Sequence, residues 1–116
     1  MKLYGSLTSP FVRKVRIFLH EKSIPFDFEV CDVWAPDSIV PSKNPLSLVP
    51  VLELDDGEML NDSPLIMAWL DSHHGKPSVP TDHDAYWHCM RWHTLANGII
   101  TACVARFGEV RRPVDK

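Results

Sequence analysis

The chain has 116 residues, 45% of them hydrophobic and 23% charged, and a formal net charge of −3. That is room for one domain, or one domain with a fragment attached, and enough apolar side chain to close a core. The slightly acidic balance excludes the basic footprint that nucleic-acid binding needs, and no apolar run nears the ~20 residues of a membrane helix. The opening MKLYGSLTSP lacks the apolar centre of a signal peptide. Three cysteines (Cys31, Cys89, Cys103), with no repeating spacing and no C-x-x-C, argue against a disulfide framework and for a reducing, cytoplasmic setting.

In chain order, a short strand over 2–5 is broken by Gly5-Ser6. Positions 10–21 read as an amphipathic helix with Phe11, Val15 and Phe18 on one face and Val12 and Leu19 flanking it. Arg13, Lys14 and Arg16 fall elsewhere and read as a solvated face. Ser9-Pro10 is a strong start signal, a hydroxyl cap followed by proline where a missing N–H costs nothing. Residues 26–30 alternate as a half-buried strand, and 35–44, with two prolines, should be irregular with one helical turn. The end of NPLSLVPVLEL forms a strand, and Asp55-Asp56-Gly57 turns it into a partner over 58–60. Ser63-Pro64 repeats the cap signal and opens a second helix through Trp69 and Leu70. After a Pro/Gly/Ser linker, Thr81 is placed to cap a long helix with a stripe of Trp92, Leu95, Ile99, Cys103 and Phe107. That stripe needs partners. The order up to residue 73 implies an α/β unit with a crossover helix and a terminal hairpin.

Two Ser-Pro helix starts on one small sheet each present free N–H groups and a positive dipole end beside a hydroxyl, which suits a ligand with separated negative charges. Either serine alone would read as a plain cap. Val49-Pro50 stands at a strand entrance; a cis bond there would leave the valine N–H and C=O free for a peptide-like ligand, and the isomer stays open.

TSPF with its basic helix, NPLSLVPVLEL and LNDSPLIMAWL, in that order, resemble the amino-terminal domain of a glutathione S-transferase over residues 1–73. The resemblance implies a thioredoxin-like mixed four-stranded sheet with flanking helices over 1–74, a linker over 75–81, and over 82–116 the beginning of an all-α domain. It implies glutathione as co-substrate and a small-molecule electrophile as its target. Ser9 stands where thiol-using relatives carry cysteine, and Val12 where a second redox cysteine would be, so a dithiol cycle is excluded. Ser9 would donate to the glutathione sulfur, with Thr8 the alternative because some members place the hydroxyl two residues before the proline. By the same carry-over Phe11 and Leu48 line the site, Val49 pairs with the cysteinyl unit beside Pro50, Ser63 holds the γ-glutamyl carboxylate and Asp62 faces its ammonium. Family members often carry lysine where this chain has Leu48, and Lys43 is the available substitute.

The function implied is a cytoplasmic glutathione transferase-like enzyme, a homodimer at the family's full length, with no nucleic-acid or membrane partner. A glutathione- or partner-binding module without turnover is the competing reading, favoured by Leu48 and by a helical half that stops after about one helix. Such a chain would be a truncated product or would rely on a partner to cover its stripe. Glutathione-dependent peroxide or disulfide reduction is a further alternative. Cys89 and His93 are spaced as a metal-binding pair, but a structural site wants four ligands. Cys31 reads as an inert buried thiol, and Trp69, Trp87 and Trp92 as packing residues.

Overall fold

The computed structural model describes residues 1–112; the end of the expected 82–116 segment, residues 113–116, lies outside the described residues. The chain divides into two compact units, Met1–Pro77 and a second from Ser78 onward. The first unit runs β1 (Lys2–Gly5), α1 (Pro10–Glu21), β2 (Asp27–Val30), α2 (Val40–Lys43), β3 (Val51–Glu53), β4 (Met59–Asn61) and α3 (Ser63–His73). Its four strands lie in the order β2-β1-β3-β4. β1 is parallel to β2 and antiparallel to β3, and β3 and β4 form a hairpin. This is the thioredoxin-like mixed sheet with flanking helices.

Strand alternation sorts the core into two faces. Leu3 and Leu52 face one side and are sealed by Val12, Val15 and Leu19 of α1 and by Ile66 and Leu70 of α3. Each such side chain contributes about 1.5–3 kcal/mol of transfer free energy. Tyr4 and Val51, one residue out of phase, face the other side with Cys31 and Val40. At its far end the first core is tied by Lys22, whose Nζ stands 2.6 Å from Asp71 Oδ1 with both side chains nearly buried. The same ammonium donates to the carbonyls of His74 and Lys76.

Three local expectations are corrected. The inward stripe of α1 is Val12, Val15 and Leu19, with Phe11 and Phe18 only half-buried. A Cβ on Gly5 would stand 2.6 Å from both Val12 methyls. Glycine at the end of β1 therefore lets Val12 seat there, which sets the rotation of the helix and leaves Phe18 at the rim, 5.5 Å from the Lys22 ammonium. The cap of α3 is Asp62, not Ser63, which is already helical. In the second unit α4 (His83–Val110) is capped by Asp82 rather than Thr81, its carboxylate accepting the Ala85 N–H at 3.0 Å. A carboxylate there satisfies an orphan donor and also complements the helix dipole.

No residue of α4 is buried. Trp92, Leu95, Ile99 and Phe107 are each more than half exposed. Trp69 packs against the core as expected, but Trp87 and Trp92 are exposed, and their indole N–H groups donate one turn back to His83 and His88 at 3.2 Å. Among the described residues no group of three or more His, Cys, Asp or Glu side chains is placed to hold a metal, and no helix is long and apolar enough to cross a membrane.

Candidate functional site

Strand register assembles the site. Tyr4 pairs with Val51, and Val51 pairs with Asn61. β1 therefore leaves the sheet towards residues 6–9 at the same end where β3 enters from Val49-Pro50 and β4 leaves towards Asp62-Ser63. Segments some forty and a dozen residues apart in sequence, on the order of chain lengths that only tertiary pairing can close, emerge side by side.

At the first segment Ser9 is the N-cap of α1, its Oγ accepting the Val12 N–H at 3.3 Å. Acceptance uses a lone pair, so the hydroxyl proton stays available for donation. Thr8 is exposed and turned back on Ser6: the two hydroxyl oxygens lie 2.9 Å apart and the Thr8 N–H donates to Ser6 Oγ at 3.2 Å. Phe11, just inside the helix, contributes one of the backbone N–H groups that lie outside the helical ladder.

At the second segment the Val49-Pro50 peptide bond is cis. Pro50 is buried, Val49 half-buried, and Leu48 exposed. Val49 takes part in none of the loop and turn backbone hydrogen bonds among the described residues. Lys43 does not turn towards this end of β3. Its Nζ lies 3.0 Å from Glu53 Oε2 and 5.1 Å from the Tyr4 ring centre. The Tyr4 hydroxyl donates to the same carboxylate oxygen at 2.6 Å. These bonds hold the Glu53 carboxyl below its ordinary range and push the Tyr4 phenol and the Lys43 ammonium up. Lys43 as a stand-in for the missing lysine is thus corrected: a carboxylate two residues along the strand engages it.

At the third segment Asp62 adopts φ +71°, a left-handed conformation uncommon outside glycine, and its side chain makes no capping bond. Such backbone is kept where the surroundings over-determine it, characteristically at ligand sites. Ser63 is 1% exposed and its Oγ has no hydrogen-bond partner among the described residues. Burial pushes the Lys14 ammonium down, and the nearby Asp62 carboxylate offsets part of that.

The structure thus brings Ser9, Thr8, Phe11, Val49, Pro50, Asp62 and Ser63 to one end of the sheet. Leu48 borders this end with an exposed side chain. Three contributors escape the sequence: Ser6, which holds Thr8; Lys14, read only as a solvated basic residue; and Asn44, whose side chain organises the loop before Leu48. Only the asparagine carried a signal, its place before Pro45. Cys31 is buried, and burial, chiefly, pushes its thiol up, which suits an inert group. The whole arrangement offers two helix N-termini with hydroxyls, one on either side of the cis Val49-Pro50 segment, whose valine enters none of the loop and turn backbone hydrogen bonds among the described residues.

Residues 3–78 match the family described as "Glutathione S-transferase, N-terminal domain". An uncharacterized GST-like protein of Escherichia coli K12, YibF, is 40% identical over 114 residues, covering 97% of this chain and 56% of that protein. A crystal structure of a glutathione S-transferase from Methylobacillus flagellatus KT with GSH bound superposes with a TM-score of 0.92 at 42% identity, covering 98% of this chain and 57% of that one. A second, from Methylobacterium radiotolerans in complex with glutathione sulfonate, has a TM-score of 0.90 at 37% identity, covering 97% and 53%. The chain spans about half the length of the relatives it matches.

Proposed function

The chain belongs to the glutathione S-transferase family, and from that premise we propose that it binds glutathione and that Ser9 activates the bound thiol for attack on a small-molecule electrophile. The observation that carries the reading is the buried, unpartnered Ser63 hydroxyl at the N-terminus of α3. A buried polar atom without a partner is rare and costly, and this one sits where free N–H groups and the helix dipole favour an anion. The residues present therefore fit the tripeptide. Ser63 Oγ and its N–H would hold the γ-glutamyl carboxylate, Asp62 the ammonium, Val49 the central peptide group beside Pro50, and Ser9 the sulfur, with Phe11 and Leu48 bordering them.

Glutathione when bound supplies a thiol whose ionised form is the nucleophile. A free thiol titrates near ~8.5, so at neutral pH little of it is thiolate. Ser9 donates its hydroxyl hydrogen to the sulfur while its oxygen stays held by the Val12 N–H, and the α1 dipole acts in the same sense, so both favour the anion. Ser9 keeps its own proton; the thiol proton passes to solvent. Thr8 is the weaker candidate because it lies outside the helix cap, exposed and turned back on Ser6. The domain layout that accompanies this reading is a glutathione-binding domain over 1–74, a linker over 75–81 and the start of a helical domain from 82. A cytoplasmic homodimer is the assembly it implies.

A second reading, glutathione binding without turnover, draws on the exposed Leu48 and on Lys43 being engaged by Glu53. Titration calorimetry with glutathione and ultraviolet absorbance of the bound thiolate separate the two. Transferase chemistry requires saturable binding, a thiolate signal at neutral pH in the wild type, and loss of most of that signal in Ser9→Ala. Binding with no thiolate signal would establish the second reading, and absence of binding would end both.

A further inference from the structure

We propose that Asn44 is a positioning residue for the binding site: its buried side-chain amide holds the 44–48 loop in the shape that presents the Val49 peptide group to the ligand. The ligand half of this rests on the glutathione reading above. Asn44 is 2% exposed although it begins a loop whose other members, Pro45, Leu46, Ser47 and Leu48, are all exposed. Those side chains cannot order the loop by packing. Hydrogen bonds to Asn44 do so instead. Its Nδ2 donates to the Leu48 carbonyl at 2.9 Å, and the Leu46 N–H donates to its Oδ1 at 3.0 Å. Its backbone completes the arrangement, with the Ser47 N–H donating to the Asn44 carbonyl at 2.8 Å and the Asn44 N–H donating to Val40 at 2.8 Å.

One amide thus spans the loop from its first residue, through its third, to its last. Ser47 is carried at φ +55°, a conformation a serine keeps only when its neighbours hold it. The Leu48 carbonyl that Asn44 holds is part of the peptide unit leading into Val49, so its orientation sets the direction of the strand edge at the site. The anchor below is firm on both sides, with Val40 buried and Lys43 paired to Glu53. Asparagine is suited to this because it offers a donor and an acceptor on one short planar group. Aspartate offers acceptors only and would set oxygen against the Leu48 carbonyl; alanine offers neither.

The test separates positioning from stability and from thiol activation. Asn44→Ala and Asn44→Asp are compared with Leu70→Ala, which opens a cavity in the core without touching the loop, at a temperature where all are folded. Both Asn44 variants should weaken glutathione binding by about tenfold or more, while Leu70→Ala keeps the wild-type dissociation constant despite its lower Tm. At saturating glutathione the thiolate absorbance of the Asn44 variants should equal that of wild type, the reverse of Ser9→Ala. An unchanged dissociation constant, or an equal loss in Leu70→Ala, overturns the proposal. Amide hydrogen exchange of the ligand-free wild type tests the loop even where the variants fail to fold. The Leu46 N–H should be protected, and exchange at the rate of an unstructured peptide overturns Asn44's hold. If the wild type binds no glutathione, the functional reading falls and the ligand half with it, and exchange alone then decides the loop half.

Discussion

A serine hydroxyl buried without a partner disfavours the folded state, and Ser63 carries that penalty at a helix N-terminus where alanine would pack as well. Fold and function therefore pull in opposite directions at this residue. Ser63→Ala should leave Tm unchanged or raise it, by at most about 1 kcal/mol of stability, while weakening glutathione binding about tenfold, the weight of a hydrogen bond to a charged group. Calorimetry and thermal unfolding of the same sample check both halves, and a fall in Tm with intact affinity would make the hydroxyl structural. Ser9 differs because its oxygen already serves the helix by accepting the Val12 N–H. The sequence showed two equivalent Ser-Pro starts; the structure makes one serine a cap and the other a buried, unpaired first helical residue. The Ser-Pro pair itself is the same in both. The difference comes from Asp62, whose left-handed backbone takes over the cap position of α3.

Among the elements, α1 and α3 are joined at opposite ends by different means. Towards the site they share the apolar core, with Val12 of α1 seated against Gly5, and at the far end Lys22 and Asp71 form a nearly buried ion pair whose ammonium also donates to the carbonyls of His74 and Lys76, just past the end of α3. Breaking a buried pair from one side leaves a charge without compensation. Lys22→Met should cost about 3–5 kcal/mol, a large fraction of the stability of a small domain, and Lys22→Met with Asp71→Leu should recover most of it. Urea midpoints at constant slope measure this. A loss below about 1 kcal/mol would place the pair with ordinary surface bridges. Helix positions were legible from caps and periodicity, yet the inward face of α1 was not. Phe11, Val15 and Phe18 form as good a stripe as Val12, Val15 and Leu19, and a glycine on another element decides between them.

For the whole molecule, the prominent feature is the exposed apolar stripe of α4. Trp92, Leu95, Ile99 and Phe107 are more than half exposed, and contiguous apolar surface of this kind marks an association surface. Sedimentation velocity over a concentration series should show association that Trp92→Glu with Ile99→Glu abolishes, without change in the Tm of the first unit. A wild-type chain that sediments as a monomer at every concentration would remove the stripe from the account of assembly.

The sequence by itself determined the element order, the hairpin, the crossover helix and the family resemblance, because these are written in local signals: Ser-Pro starts, alternation, an Asp-Asp-Gly turn and three motifs in register. It also named the residues that the sheet gathers at one end. Only the tertiary structure decided how they are used. That Val49-Pro50 is cis, that Ser63 is buried without a partner and that Lys43 is taken by Glu53 belong to the fold in which Tyr4 pairs with Val51 and Val51 with Asn61, whereas Asn44 spans its loop through bonds reaching only two and four residues along the chain. Hydrogen bonds and burial between residues distant in the chain are set by packing, and packing has no local signature.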